Sequence, residues 1–209
     1  MSDVKAVLFD LDGTLLDSFS LHYSAYEVMF GHFGIEMEKE LFLSTYSPDW
    51  YRTYKAFGLD EKHWERANTL WLEAAAAHSP VLFPGVEEVL DELGSLYKLG
   101  IVTSGSRSRV INDLDRLAIA HRFATVITGD DITDPKPAPE SLEMALVHLN
   151  LSPEESLYVG DAHADFEMSR AAGVTFIGVP SEFANLTGDH PEYDVHPIAS
   201  LPRVIESLK

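Results

Sequence analysis

The chain has 209 residues, with 34 acidic side chains against 15 lysines and arginines and a formal net charge of −19. That length suits one domain or one domain with an insertion, and the 45% apolar fraction excludes an intrinsically disordered chain despite the charge. The acidic excess argues against unaided binding to nucleic acid polymers or anionic membranes, while the absence of cysteine excludes disulfides, zinc-thiolate sites and thiol nucleophiles.

The first element predicted is a strand at Val4-Lys-Ala-Val-Leu-Phe9, a short apolar run that stops abruptly at Asp10. Neither this run nor any later one approaches the roughly 20 residues that span a bilayer, and no charged-then-apolar leader is visible, so a cytoplasmic protein is expected. Residues 16–83 contain no convincing strand. Leu21, Ala25, Val28 and Met29 mark one helix there, and Trp64, Ala67, Trp71 and Ala74 another. Trp50, Tyr54 and Phe57, spaced i, i+4, i+7, read as a further packing stripe. This stretch carries 14 of the 22 aromatics, including all three tryptophans, and is read as a helical insertion with hinges near residues 15–18 and 78–84.

After Pro84-Gly85 the pattern changes. Val86, Val89, Leu90, Leu93 and Tyr97 share a helix face, followed by a strand at residues 99–103. Val110, Ile111, Leu114 and Leu117 form the next stripe, then a strand at 125–128, then the stripe of Leu142, Ala145, Leu146 and Leu149. Two more β-branched or aromatic runs, 156–160 and 174–178, complete the series. Strand–helix alternation of this kind predicts an α/β fold, a doubly wound, Rossmann-like parallel sheet. Residues 1–15 and 84–209 would form that core, and 16–83 an inserted α-helical cap domain.

Four predicted strands end in groups able to do chemistry. They are Asp10-Leu-Asp12-Gly-Thr14, Thr103-Ser104-Gly105-Ser106, Gly129-Asp130-Asp131 leading to Asp134-Pro-Lys136-Pro-Ala-Pro139, and Gly160-Asp161-Ala-His-Ala-Asp165. In open α/β sheets ligands bind outside the carboxyl ends of the strands, so one crevice would collect these groups. Asp10, Asp12 and Asp161 would repel one another unless a cation neutralised them, and hard oxygen ligands favour Mg²⁺. A phosphate there could be met by the Lys136 ammonium, the Thr103 and Ser104 hydroxyls, and backbone N–H groups of Ser104 and Gly105. With no cysteine and no Ser/His/Asp order, the available nucleophile is a carboxylate: Asp10 could attack phosphorus, and Asp12 could protonate the leaving oxygen and later deprotonate water.

At these residues the chain resembles the haloacid dehalogenase superfamily. Phe9-Asp-Leu-Asp-Gly-Thr-Leu15 resembles its first motif, whose first Asp is the nucleophile and second the general acid/base. Ile101-Val-Thr-Ser-Gly105 is similar to the second, phosphate-binding motif, with Thr103 or Ser104 at the binding position. Lys136 in Lys-Pro-Ala-Pro resembles the third, and Gly160-Asp161 with Asp165 the acidic, metal-binding fourth. The insertion after the first motif is similar to the helical cap of the phosphoglycolate phosphatase and β-phosphoglucomutase branch. Because Asp12 is present, the resemblance implies a Mg²⁺-dependent phosphatase or phosphotransferase, not a carbon–halogen hydrolase. It implies Asp10, Asp12 and Lys136 as catalytic residues, Thr103, Ser104, Gly105 and Lys136 as phosphate-binding, and Asp10, Asp12, Asp161 and Asp165 around Mg²⁺. The expected activity is hydrolysis of a small phosphorylated metabolite, such as phosphoglycolate or a sugar phosphate, by a monomer or homodimer. A β-phosphoglucomutase-type phosphotransferase and a non-catalytic phosphometabolite-binding protein are the alternatives.

Overall fold

The computed structural model describes residues 4–46, 50–180 and 192–208. β1 (Ala6–Phe9) is buried on both faces because its alternating side chains enter different layers. Val7 and Phe9 join one apolar cluster, and Ala6 and Leu8 another. The chain then leaves the sheet for α1 (Phe19–His32), α2 (Lys39–Thr45), α3 (Trp50–Ala56) and α4 (Trp64–Ala76). It returns through α5 (Val86–Gly94), β2 (Lys98–Val102), α6 (Arg107–Arg116), β3 (Thr125–Ile127) and α7 (Glu140–Leu149). The last elements are β4 (Ser156–Gly160), α8 (His163–Ala172), β5 (Thr175–Gly178) and α9 (Leu201–Ser207).

The five strands form one parallel sheet in the order β3-β2-β1-β4-β5, with Phe9 beside Ile101 on one side and Val159 on the other. Val86, Val89 and Leu90 of α5, Val110 and Leu114 of α6, and Leu201 and Ile205 of α9 pack on one face. Leu142, Ala145 and Leu146 of α7 and Met168 of α8 cover the other. This is the doubly wound α/β arrangement. Strand order reverses at β1, and the crevice beyond the carboxyl ends of β1 and its neighbours is where such a sheet receives ligands.

Two helix stripes differ from the periodicity reading. On α6, Ile111 is 38% exposed, while Asp113 is buried in the layer beneath because its carboxylate has a guanidinium partner there. On α1, Val28 is 61% exposed and the buried set runs Leu21, His22, Ala25, Tyr26, Met29, Phe30. Tyr26 and Phe30 offer larger surfaces than Val28, so their packing sets the rotation of the helix.

The helices of residues 19–76 enclose a core of their own. Phe42 is fully buried at its centre, with ring centroids 5.4, 5.2 and 5.3 Å from those of Tyr23, Tyr26 and Tyr46. The two connections to the sheet run side by side: Asp17 N–H donates to the Val81 carbonyl (2.9 Å) and Phe83 N–H to that of Leu15 (3.0 Å). Arg116 of α6 donates to the His78 carbonyl (2.8 Å) and the Ser79 hydroxyl (2.9 Å), tying the second connection to the sheet's helical layer. Because every tryptophan lies within residues 50–71, tryptophan fluorescence reports this helical unit alone. Phe42→Ala should destabilise it by about 3–5 kcal/mol. Fluorescence should then lose its native signal at lower urea than far-ultraviolet circular dichroism; coincident transitions would show a single cooperative unit instead.

Candidate active site

Asp10 leaves β1 with its N–H donated to the Val159 carbonyl of β4 (2.8 Å), so the first carboxylate is fixed by the sheet itself. Gly13 then turns the chain at φ +82°, and a Cβ there would lie 2.3 Å from an Asp161 oxygen. Only glycine lets this loop fold so closely over the end of β4. Thr14 completes the contact, its hydroxyl donating to Asp161 Oδ1 at 3.2 Å.

The loop after β3, which contains a cis Lys136–Pro137 bond, delivers a 5%-exposed lysine to this point. Lys136 Nζ lies 2.6 Å from Asp10 Oδ1, 2.7 Å from Asp165 Oδ1, 2.7 Å from the Tyr158 hydroxyl and 2.9 Å from the Val102 carbonyl. Burial pulls the lysine towards neutrality, but Asp10 and Asp165 outweigh that and hold its ammonium above the ordinary lysine range. Burial, with Asp165 and Asp161 adding to it against Lys136, raises Asp10 well above the usual carboxylate range. Asp165 also serves the start of α8, its Oδ2 accepting the Ala162 N–H at 3.1 Å, so one side chain meets both Lys136 and the helix start.

Asp10, Asp161 and Asp165 are all buried, and one carboxylate oxygen from each lies within 4.8 Å of the others. Three crowded oxygen donors with a single lysine among them fit a hard divalent cation, whose charge would offset the burial and the like-charge repulsion that raise Asp10. The carboxylate of Asp12, expected with them, is not in this cluster. It turns the other way, towards α6 and α1. Arg109 of α6 grips it with both terminal nitrogens, Nη1 donating to Oδ1 at 3.1 Å and Nη2 to Oδ2. His22 Nε2 of α1 stands 3.3 Å from Oδ1, and its Nδ1 is 2.7 Å from the Tyr46 hydroxyl. Burial would raise Asp12, but Arg109 and His22 together overcome it and hold the carboxyl well below its ordinary value.

The turn after β2 carries Thr103, Ser104 and Gly105, residues named for phosphate. The Gly105 N–H, expected to face a phosphate, is donated to the hydroxyl of Thr103 at 3.2 Å. A side chain two residues back satisfies that donor locally. Thr103 keeps its own O–H to donate, and the buried Ser104 hydroxyl has no hydrogen-bond partner among the described residues. Both line a cavity of about 540 Å³ between the helical unit and the sheet, together with Asp10, Asp12, Lys136, Asp161 and Asp165. With Gly105, these residues named from the sequence as catalytic, phosphate-binding or metal-binding all border one cavity.

Of the insertion stripe Trp50, Tyr54 and Phe57, Trp50 lines this cavity, Tyr54 lines it and is also buried in the helical core, and Phe57 packs tilted against Phe30 with ring centroids 4.7 Å apart. His163 at the start of α8 also borders the cavity, with its side chain 54% exposed. Asp130 and Asp131 stay with the loop, receiving the Arg107 N–H and the Thr128 N–H at 2.8 Å each. Three further residues of the site carry no sequence signal. Tyr158 sits inside an apolar strand, where a tyrosine reads as core, while Arg109 and His22 lie on helices at no ligand spacing.

The chain is similar to known proteins over nearly its whole length. Residues 7–179 match the family model of the haloacid dehalogenase-like hydrolases. Pyrophosphatase PpaX of Oceanobacillus iheyensis is 31% identical over 209 residues, covering 97% of both chains. PpaX of Bacillus velezensis is 35% identical over 180 residues, 84% of this chain and 83% of its own. Among solved structures, a haloacid dehalogenase-like hydrolase of Streptococcus pneumoniae superposes with a TM-score of 0.83 at 24% identity, covering all of both chains. CbbY of Rhodobacter sphaeroides, in complex with phosphate, gives 0.81 at 22% identity over 95% of this chain and 96% of its own. The chain thus belongs to the haloacid dehalogenase-like hydrolase family.

Proposed function

We propose that this enzyme is a Mg²⁺-dependent phosphatase that hydrolyses a small phosphorylated metabolite through a phosphate ester of Asp10. The observation that supports it most directly is the Lys136 ammonium shared between Asp10 and Asp165, in the crevice where the strand order reverses. A structural ion pair would be satisfied with one carboxylate. Here three surround a cavity that also offers the hydroxyls of Thr103 and Ser104.

In the proposed reaction an Asp10 oxygen attacks phosphorus while the bond to the leaving oxygen breaks, and a protonated Asp12 gives that oxygen its proton. Water then attacks the Asp10-phosphate, loses a proton to Asp12, and orthophosphate departs with Asp10 restored. The contacts of Asp12 with Arg109 and His22 favour its ionised form, which is the form that accepts the proton from water. Lys136, Thr103 and Ser104 hold the phosphoryl oxygens. Asp10, Asp161 and Asp165 would hold Mg²⁺, which supplies charge neutralisation to the phosphoryl group. Asp12 enters as acid and base, its carboxylate being engaged elsewhere.

Residues 16–83 act as a cap on the core of 1–15 and 84–209, excluding bulk water when closed. Among the described residues no helix is long and apolar enough to cross a membrane, and we place the enzyme in the cytoplasm. Pyrophosphate, the substrate in the name of its PpaX relatives, and small monoesters such as phosphoglycolate or sugar phosphates are the substrates to try.

With Mg²⁺ and p-nitrophenyl phosphate, Asp10→Asn should lower phosphate release by about a thousandfold or more while circular dichroism is unchanged. Full activity of that variant would sink the mechanism. Chelation with excess EDTA should abolish turnover, and added Mg²⁺ should restore it; turnover indifferent to both would remove the metal from the reading. Lys136→Met leaves buried carboxylates without their cation, so it should cost about 3–5 kcal/mol of stability in urea unfolding. Part of that loss should return with millimolar Mg²⁺.

A further inference from the structure

Arg109 is a buried arginine whose only part in the phosphoryl-transfer chemistry above is its contact with Asp12. Its side chain is 8% exposed and borders the cavity. Three features show that its position is built. Asp113, one turn further along α6 and itself buried, accepts from Arg109 Nη1 at 3.1 Å and fixes one prong of the fork. Gly105 provides the floor: a Cβ there would lie 2.4 Å from Arg109 Nη2, so the guanidinium rests directly on the turn that carries Thr103 and Ser104. Its outward edge then meets the Asp12 carboxylate with two nitrogens, the arrangement in which arginine receives a carboxylate or a phosphate.

The location decides what the fork is for. The transferring phosphoryl group has Lys136 and the hydroxyls at the Asp10 end of the cavity. Asp12, as proton donor, must reach the leaving oxygen, so a guanidinium in contact with Asp12 stands on the leaving-group side. Building on the phosphatase reading above, we propose that Arg109 is the specificity determinant for a leaving group carrying its own negative charge. The substrate class is then a phosphate ester or anhydride whose departing part bears a carboxylate or a second phosphate. When substrate binds, that anion takes the place of the Asp12 carboxylate on the guanidinium and leaves Asp12 facing the scissile oxygen. A neutral leaving group has nothing to exchange for Asp12 and would leave the ion pair in place.

The test compares substrates of similar size with Mg²⁺: pyrophosphate and 2-phosphoglycolate against ethyl phosphate. The wild-type enzyme should prefer the two anionic substrates in kcat/KM by about a hundredfold, a comparison that needs no variant to fold. Arg109→Gln should erase most of that preference, its losses falling chiefly on the anionic substrates. Arg109→Lys, which keeps the charge but not the fork and keeps Asp12 and Asp113 neutralised, should retain part of it. Equal kcat/KM for charged and neutral leaving groups in the wild type would overturn the proposal, as would equal losses on both classes in the variants, which would make Arg109 a positioning residue for Asp12. Either result, obtained while Asp10→Asn still abolishes turnover, refutes the specificity role and leaves the phosphatase reading standing. An Asp10→Asn enzyme active on all three substrates refutes the phosphatase reading first.

Discussion

The constraint on which the site depends is the crowding of carboxylates at the end of a buried parallel sheet. Asp10, Asp161 and Asp165 are brought together by the register of β1 against β4 and by the turn into α8, and none of them faces open solvent. Buried like charges are costly unless cations answer them. Lys136 answers part of the repulsion, and its own burial is tolerable only because two carboxylates, a tyrosine hydroxyl and a carbonyl surround it. The remaining acidity is what makes the cluster a place for a divalent cation and a phosphoryl group. The stabilising ion pair and the proposed catalytic pair are the same atoms.

The second half of the site is organised differently. Asp12 lies two residues from Asp10, yet its carboxylate belongs to another electrostatic unit, shared with Arg109 from the sheet's helical layer and His22 from the insertion. That bridge places a charge contact directly between the two parts of the molecule. The antiparallel contact of residues 15–17 with 81–83 keeps the two connections together. In the proposed reaction the His22 bridge links the helical unit to the acid/base residue Asp12 and not to Asp10.

Net charge and local charge also separate here. At −19 the molecule repels polyanions, but beyond a Debye length of about 8 Å that field is largely screened. Within the cavity the relevant charges are Lys136, Arg109 and the carboxylates they neutralise. A small doubly anionic ligand is therefore compatible with an acidic protein when its binding groups are buried and directional.

Composition and periodicity by themselves determined the alternation of strands and helices, the run of helices after the first strand, and the polar groups at the strand ends. Those features are local: a strand shows in a run of about five residues, a buried helix face in the spacing of Val86, Val89, Leu90 and Leu93. The direction of the Asp12 carboxylate was not local. Its partner Arg109 lies 97 residues away, and Tyr158 meets the Val102 carbonyl across 56. Pairings over such separations are set by strand order and helix rotation, which no window of sequence contains. The diversion of the Gly105 N–H to Thr103 follows from the conformation of one turn, and the burial of Asp113 in place of Ile111 from the guanidinium beneath it. Residue types told which chemistry was available; the tertiary structure decided which atoms face one another, because hydrogen bonds and ion pairs depend on distances that only the closed fold defines.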